Sequence, residues 1–303
     1  MVSMRERFNT VVVSLLEDDP KAVAVFAVIG RSALEATPGF GRVADRVFDV
    51  GIREQAMIGV VGGLALEGYK PIVMSYTPFL VERPFEQIKL SLTHQGVHAV
   101  LVSVGGSWDA SSEGRTHQAP EDVALMSTLP GWTVHVPGHP DEAEEAIRNA
   151  HASGESHYVR LTGDSNASSL ETTVGQISTL KRGSDGATTV LAIGPVADAV
   201  LEATDGTDTT VLYSTVPHPL DARGLRAAVI GSDIVVVEPY LAGTSVAEVA
   251  AALSDRPTRI RAIGVTDPEM MHYGSPDELR SAHGLDAAGI RLALERGVTQ
   301  IAV

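Results

Sequence analysis

Two doubly wound α/β domains are the fold class that the sequence predicts, and three observations carry it. Short apolar runs alternate with amphipathic stretches along the chain, the pattern of βαβ units closing on a parallel sheet. At 303 residues the chain is long for a single hydrophobic core, so two domains are expected. Glycine is abundant, with 29 residues, while aromatics make up only 5%, which suits helices packed closely on sheets through small side chains.

The first half reads as one complete unit. A helix is expected at 10–17, then a buried strand at 22–28, Ala-Val-Ala-Val-Phe-Ala-Val, and another strand at 45–50. Residues 54–66 are rich in Gly and Ala and read as a helix ended by Gly68. A strand at 71–75, a helix at 82–93, a strand at 98–104 and a helix around 120–127 follow. A strand at 133–136, a helix at 140–152 and a strand at 157–161 complete the unit. Between about 163 and 187 the composition turns to Gly, Ser, Thr, Asp and Asn with little apolar periodicity, as expected of an exposed connection. Beyond it, strands at 188–193, 209–213, 233–238 and 258–263 alternate with helices at 196–204, 221–230, 244–254 and 286–296. The domains are therefore expected at 1–165 and 188–303, joined by a linker at 166–187.

Composition narrows the function classes. With 23 Lys and Arg against 38 Asp and Glu, the formal charge is −15, which disfavours nucleic acid as a partner. The absence of cysteine removes disulfides and thiolate metal sites, and the remaining histidines show no metal-ligand spacing. Charged Arg5, Glu6 and Arg7 stand where a signal peptide needs an apolar core, and no apolar run approaches the ~20 residues of a membrane span. A soluble, cytoplasmic protein without a membrane partner is the expectation.

Chemistry concentrates in a few motifs. The run Phe48-Asp49-Val50-Gly51-Ile52-Arg53-Glu54-Gln55 delivers one carboxylate, Glu54, from an apolar strand onto the start of a small-residue helix. It resembles the "GIxEQ" signature of transketolase-like thiamine diphosphate enzymes. The segment Tyr76-Thr77-Pro78-Phe79 followed by Arg83-Pro84-Phe85-Glu86-Gln87-Ile88-Lys89 is similar to the family's "TFxxxRxYEQIR". Glu113-Gly114-Arg115-Thr116-His117-Gln118 with Glu121-Asp122 resembles its "GEDGxTHQxxED" loop, and Tyr158-Val159-Arg160-Leu161 its "YIRL". Leu129-Pro130-Gly131-Trp132 matches "IPNxxVxxPAD", and His218-Pro219-Leu220-Asp221, Val237-Glu238-Pro239 and Tyr273-Gly274-Ser275 follow the family's C-terminal domain.

The resemblance implies a pyrimidine-binding domain at 1–165 and a transketolase C-terminal-like domain at 188–303. It implies that Glu54 pairs with the ring nitrogen of the cofactor's aminopyrimidine, with Phe79 against that ring and Ile52, Tyr76 and Arg83 also around the cofactor. An aromatic face suits a flat heteroaromatic ring because it demands no particular hydrogen bonds. His117 is implied as the second catalytic residue, a donor or acceptor to substrate oxygens, with Glu113 and Arg160 as further substrate contacts. The reaction implied is transfer of a two-carbon ketol unit from a ketose donor to an acceptor.

The family's diphosphate and Mg²⁺ need a second kind of domain carrying a "GDG" run and downstream oxygen donors. The nearest strings, Gly163-Asp164-Ser165 and Ser184-Asp185-Gly186, lack the strand-then-helix context. A separate diphosphate-binding subunit, holding most of the Mg²⁺ site, is therefore the expected partner, in an α2β2 assembly with the cofactor between subunits.

Departures from the pattern bear on the substrate. Arg160-Leu161-Thr162-Gly163-Asp164 carries an acid where sugar-phosphate relatives have a second arginine, and the loop before His117 brings in bulky Trp108. An unphosphorylated, larger or carrier-protein-bound acceptor is one consequence. Other readings are a 2-oxo-acid dehydrogenase E1 β-like subunit, a carrier-directed acyl-transferring subunit, a non-catalytic structural or regulatory subunit, and an ordinary nucleotide-binding α/β protein. Taken singly, Glu54 is a first-turn acid complementing a helix dipole, Phe79 is core, Arg83 and Glu86 are an exposed helical pair, and Arg160 pairs with an acid at the core rim.

Overall fold

The computed structural model describes residues 2–171, 173–267, 269 and 273–297. Helix α1 (Met4–Asp18) starts at a capping box, in which Ser3 Oγ accepts from the Glu6 amide and the Glu6 carboxylate accepts from the Ser3 amide at 2.8 Å. Strand β1 (Ala22–Phe26), helix α2 (Arg31–Glu35), strand β2 (Val47–Asp49), helix α3 (Glu54–Leu66) and strand β3 (Lys70–Tyr76) follow. The helical segment 78–93 contains the short helix α4 (Phe85–Gln87). Next come β4 (Val100–Val104), α5 (Asp122–Ser127), β5 (Trp132–His135), α6 (Pro140–Ser153) and β6 (Ser156–Arg160). These six strands form one parallel sheet in the order β2-β1-β3-β4-β6-β5.

The second half contributes β7 (Ser178–Lys181), β8 (Thr188–Ile193), α7 (Ala197–Ala203), β9 (Thr209–Ser214), α8 (Ala222–Ala228) and β10 (Asp233–Leu241). It closes with α9 (Val246–Ala252), β11 (Arg259–Val265), α10 (Pro276–Ala282) and α11 (Ala287–Arg296). The sheet order is β11-β10-β8-β9-β7, parallel except for the antiparallel edge strand β7 on β9.

Both sheets are covered on both faces, which is why their strands read as continuous apolar runs. Helices α1 and α6 pack on one face of the first sheet through Phe8, Leu16, Ala146 and Ile147. The other face is covered by α3, segment 78–93 and α5, and that apolar cluster continues into Leu191, Leu212 and Ile234 of the second sheet.

Three features depart from the sequence expectation. The segment expected as an exposed linker carries β7 and the buried Asn166. Glu142, buried on α6, organises it by accepting from the Leu170 and Glu171 amides at 2.7 and 3.0 Å. The helix expected at 82–93 starts at Pro78 and is made of π-helical turns, Pro78–Glu82 and Ile88–Thr93, on either side of α4. Pro84, inside the segment, has no N–H for a regular ladder, and i to i−5 bonds take over, as in the Arg83 amide donating to Pro78 at 3.0 Å. Helix α2 lies where no helix was expected. Residues 298–303 of the expected second domain lie outside the described residues.

Candidate active site

The carboxyl ends of β1, β2 and β3 meet where the strand order reverses, the usual crevice of an open α/β sheet. Asp49 at the end of β2 organises it, its Oδ1 accepting from the Val28 amide at 3.1 Å and the Gly51 amide at 2.8 Å. Val28 is thereby held at φ 71, a conformation a β-branched residue rarely adopts, and Gly51 turns the chain at φ 73. This clamp presents Ile52 to solvent, 75% exposed, and starts α3 at Glu54.

Glu54 is buried, 4% exposed, in the first helical turn. Its one side-chain partner among the described residues is Arg83, Nη1 to Oε1 at a long 3.3 Å. Arg83 also lies over the Phe79 ring, 3.9 Å from its centroid. The Phe79 ring meets His117 edge-on at 4.9 Å between centroids, and Tyr76 stands 6.2 Å from Phe79 and 5.9 Å from His117. Ile52, Glu54, Tyr76, Phe79, Arg83 and His117 are thus gathered at one end of the sheet from segments up to 65 residues apart. His117 sits in a short helical turn, Arg115–His117, with Nδ1 2.9 Å from Thr116 Oγ1. Arg115 pins that loop by donating to Glu121 at 2.8 Å and standing 3.6 Å from Glu82. Glu113 is exposed at the start of the loop.

A cavity of about 290 Å³ lies elsewhere, beneath the amino ends of β3 and β4, whereas one of about 270 Å³ adjoins Tyr76. The latter is lined by Ser3, Arg5, Tyr76, Asp109, Thr162 and Gly163 among others. Arg5 has no ion-pair partner among the described residues, and its Nε is buried without a hydrogen bond. Asp109 accepts from the Gly163 amide at 2.7 Å. Burial, and then the neighbouring Asp164, pushes its carboxyl up to about 7. Neither Arg5 nor Asp109 stands out in the sequence. The first opens an amphipathic helix and the second lies in a Gly- and Ser-rich loop, and only the sheet brings them together.

Two expectations are corrected. Arg160 is fully buried and does not reach the cluster around Glu54. Its Nε donates to Asp122 at 2.8 Å and its Nη2 to Ser107 Oγ at 2.5 Å, while Tyr158 donates to the same Asp122 oxygen at 2.6 Å. An unpaired guanidinium is too costly to bury, so the ion pair fixes Arg160 in the interior as a brace, with no exposed surface. Trp108 is also turned inward, 2% exposed and stacked on His283 at 5.9 Å, where it joins the core of the second sheet rather than narrowing the crevice.

The model of the transketolase pyrimidine-binding domain matches residues 1–165. The chain belongs to the transketolase family. A relative described as the uncharacterized 33.6 kDa protein in the fasciation locus of Rhodococcoides fascians is 44% identical over 93% of this chain and 91% of its own length. An apulose-4-phosphate transketolase subunit of Phocaeicola vulgatus is 27% identical, covering 97% of both chains. A solved split-gene transketolase, described as an inactive beta4 tetramer, superposes with a TM-score of 0.84 at 26% identity over 98% of both chains. This chain is accordingly a transketolase-type pyrimidine-binding subunit, and such relatives imply thiamine diphosphate dependence and a separate partner subunit.

The residues fit that cofactor. A buried, weakly engaged carboxylate and an aromatic ring share Arg83 as a neighbour, and exposed apolar Ile52 lies two residues before that carboxylate in the chain. Among the described residues no group of three or more His, Asp or Glu side chains is arranged to hold a metal ion. No helix among them is long and apolar enough to cross a membrane.

Proposed function

We propose that this chain is the pyrimidine-binding half of a two-subunit, thiamine diphosphate-dependent transketolase that moves a two-carbon ketol unit from a ketose to an acceptor. The observation that carries the reading is Glu54, buried in the first turn of α3 and grouped with Phe79 and His117. The cofactor, when bound, supplies the electron sink that a C–C bond beside a carbonyl needs in order to break. Glu54 holds a proton at the pyrimidine ring nitrogen, in a site where the low dielectric strengthens that hydrogen bond. Phe79, with Arg83 over its ring and Tyr76 beside it, would offer the cofactor's ring an aromatic contact, and exposed Ile52 would add an apolar one. His117, half-buried and oriented by Thr116, positions donor and acceptor oxygens, with Glu113 at the rim. The cavity with Arg5 and Asp109 takes the tail of the ketose.

The partner subunit holds the diphosphate and Mg²⁺. The exposed face of α3 supports a covered interface, since Ala56, Gly59, Val60 and Gly63 are small or apolar residues facing solvent. An α2β2 assembly places two such sites between subunits. In the reconstituted complex, Glu54→Gln is expected to lower ketose consumption at least ~10²-fold, the scale of a lost proton-transfer group, with an unchanged melting temperature. Turnover retained by a folded, cofactor-saturated variant overturns the reading.

A further inference from the structure

Beneath the second sheet, at the amino ends of β8, β9, β10 and β11, lies a cavity of about 330 Å³. Thr188, Thr209, Asp233 and Arg259, the first residues of those four strands, all line it, joined by Arg261 and Arg291. The carboxyl ends of the same strands pack against the first domain, as in the Leu241 amide donating to Pro120 at 2.9 Å. The cavity is therefore at the opposite end of the second sheet from the Glu54 site.

Its charge is unusual for this chain. Three arginines line it against two acids, Asp233 and Glu295, within a protein whose formal charge is −15. Arg261 is only 4% exposed, and one nitrogen, Nη2, donates to Asp233 at 2.7 Å. Its Nε and Nη1 have no hydrogen-bond partner among the described residues, and neither has Asp233 Oδ1. Buried guanidinium donors are almost always matched, so a half-matched one lining a cavity marks a place that favours negative charge. Arg259 and Arg291 each donate to a backbone carbonyl near a helix C-terminus, Gly297 at 2.8 Å and Glu202 at 2.6 Å. Helix-end capping accounts for those single bonds. It leaves the rest of each guanidinium without a carboxylate partner among the described residues. Planar guanidinium forks match phosphate and carboxylate oxygens in pairs, whereas the hydroxyls of Thr188 and Thr207 on the same wall are already spent within the protein, donating to Asp233 at 3.2 Å and to the Thr204 carbonyl at 2.7 Å. The volume falls within the ~300–1,000 Å³ range of small-molecule sites.

We infer that this cavity is a binding site for a small multivalent anion, a molecule carrying phosphate or carboxylate groups, independent of the Glu54 site and suited to an effector rather than a substrate. The inference does not depend on the proposed reaction. The test is calorimetric titration of the full chain with inorganic pyrophosphate and, separately, with citrate, at ionic strength held constant with chloride. Saturable binding of one probe per chain is expected, and the better probe assigns phosphate or carboxylate as the recognised group. The Arg259→Ala/Arg291→Ala variant should bind at least about tenfold more weakly, whereas Arg5→Ala, which alters the cavity beside Tyr76, should bind as the parent does. Arg259→Lys, which keeps the charge and removes the fork, should also weaken binding and serves if the double variant does not fold by circular dichroism. No saturable heat with either probe overturns the inference. So does undiminished binding by the arginine variants, or loss of binding in Arg5→Ala.

Discussion

Single residues of the same type take opposite roles here according to what surrounds them. Arg83 is half exposed and lies over Phe79 beside Glu54, while Arg160 is sealed in the interior with Asp122 and Ser107. Truncating one partner of a buried ion pair leaves the other charge uncompensated. Arg160→Ala is therefore expected to cost about 3–5 kcal/mol and lower the melting temperature sharply. A substrate ligand would behave differently, raising KM in a chain of unchanged stability, so thermal melts and kinetics on the same variant separate the two roles. Asp109 gives a pH signature. Its carboxyl, ordinarily near 3.8, is held at about 7 by burial and by Asp164, and Glu171 and Glu238 are likewise pushed from 4.5 to about 7 by burial. Folded chain binds these protons more tightly than unfolded chain between roughly pH 4 and pH 7, so their contribution to stability falls as pH rises through that window. His135 slopes the other way. Burial, reinforced by His157 at 2.9 Å, lowers it from 6.5 to about 3, so its contribution grows as pH rises from 3 to 6.5. Burial also lowers His151 and His157 and raises Glu82 and Glu121, so five raised carboxyls stand against three lowered imidazoles and outweigh them. Melting temperature should decline from about pH 5 to pH 7 and level off above, and Asp109→Asn should flatten that decline; an unchanged slope would assign it to other groups.

At the scale of elements, α3 and β8 were readable to the residue, at 54–66 and 188–193, because each is a local pattern with clear ends. Helix α2, five residues long, has no period to detect. Strand β7 lies in a Ser- and Thr-rich run and exists because β9 offers it an open antiparallel edge. The π-helical turns of 78–93 combine Pro84 with packing against α3, a contact distant in sequence. Gly62 marks that packing. A Cβ there would stand 2.6 Å from the Ser91 carbonyl oxygen, a backbone atom with little room to yield. Alanine gains about 1 kcal/mol of helix propensity over glycine, but overpacking costs about 1–3 kcal/mol. Gly62→Ala is expected to destabilise the chain, as a denaturant midpoint would measure; a rise in the midpoint would mean that the two helical elements separate freely.

For the whole molecule, the two sheets behave as one body because a single apolar cluster runs from Val25 and Met57 to Leu212 and Val249. Arg160 sits at that junction, with Ser107 donating to the Pro239 carbonyl at 2.5 Å. What the molecule leaves open is the surface around α3, where Ile52, Val60 and Leu66 are 75%, 41% and 61% exposed. Exposed apolar residues on and just before α3 fit the partner-covered surface proposed above. Val60→Asp should leave the melting of the isolated chain within about 0.5 kcal/mol, the usual range for surface substitutions, and abolish co-purification with the diphosphate-binding subunit. Association undiminished by the charge would place the subunit contact elsewhere.

The sequence by itself determined the α/β alternation, the two sheets and the identity of the Glu54, Phe79 and His117 motifs, because periodicity and short signatures are written in neighbouring residues. Tertiary structure alone decided what those residues touch. It buried Arg160 and Trp108, which the sequence placed near substrate, and brought Arg5 to Asp109 across more than a hundred positions. It also collected Arg259, Arg261 and Arg291 beneath one sheet edge. Burial and charge pairing depend on which strands become neighbours, and that order is set by the packing of the complete sheet rather than by local propensity.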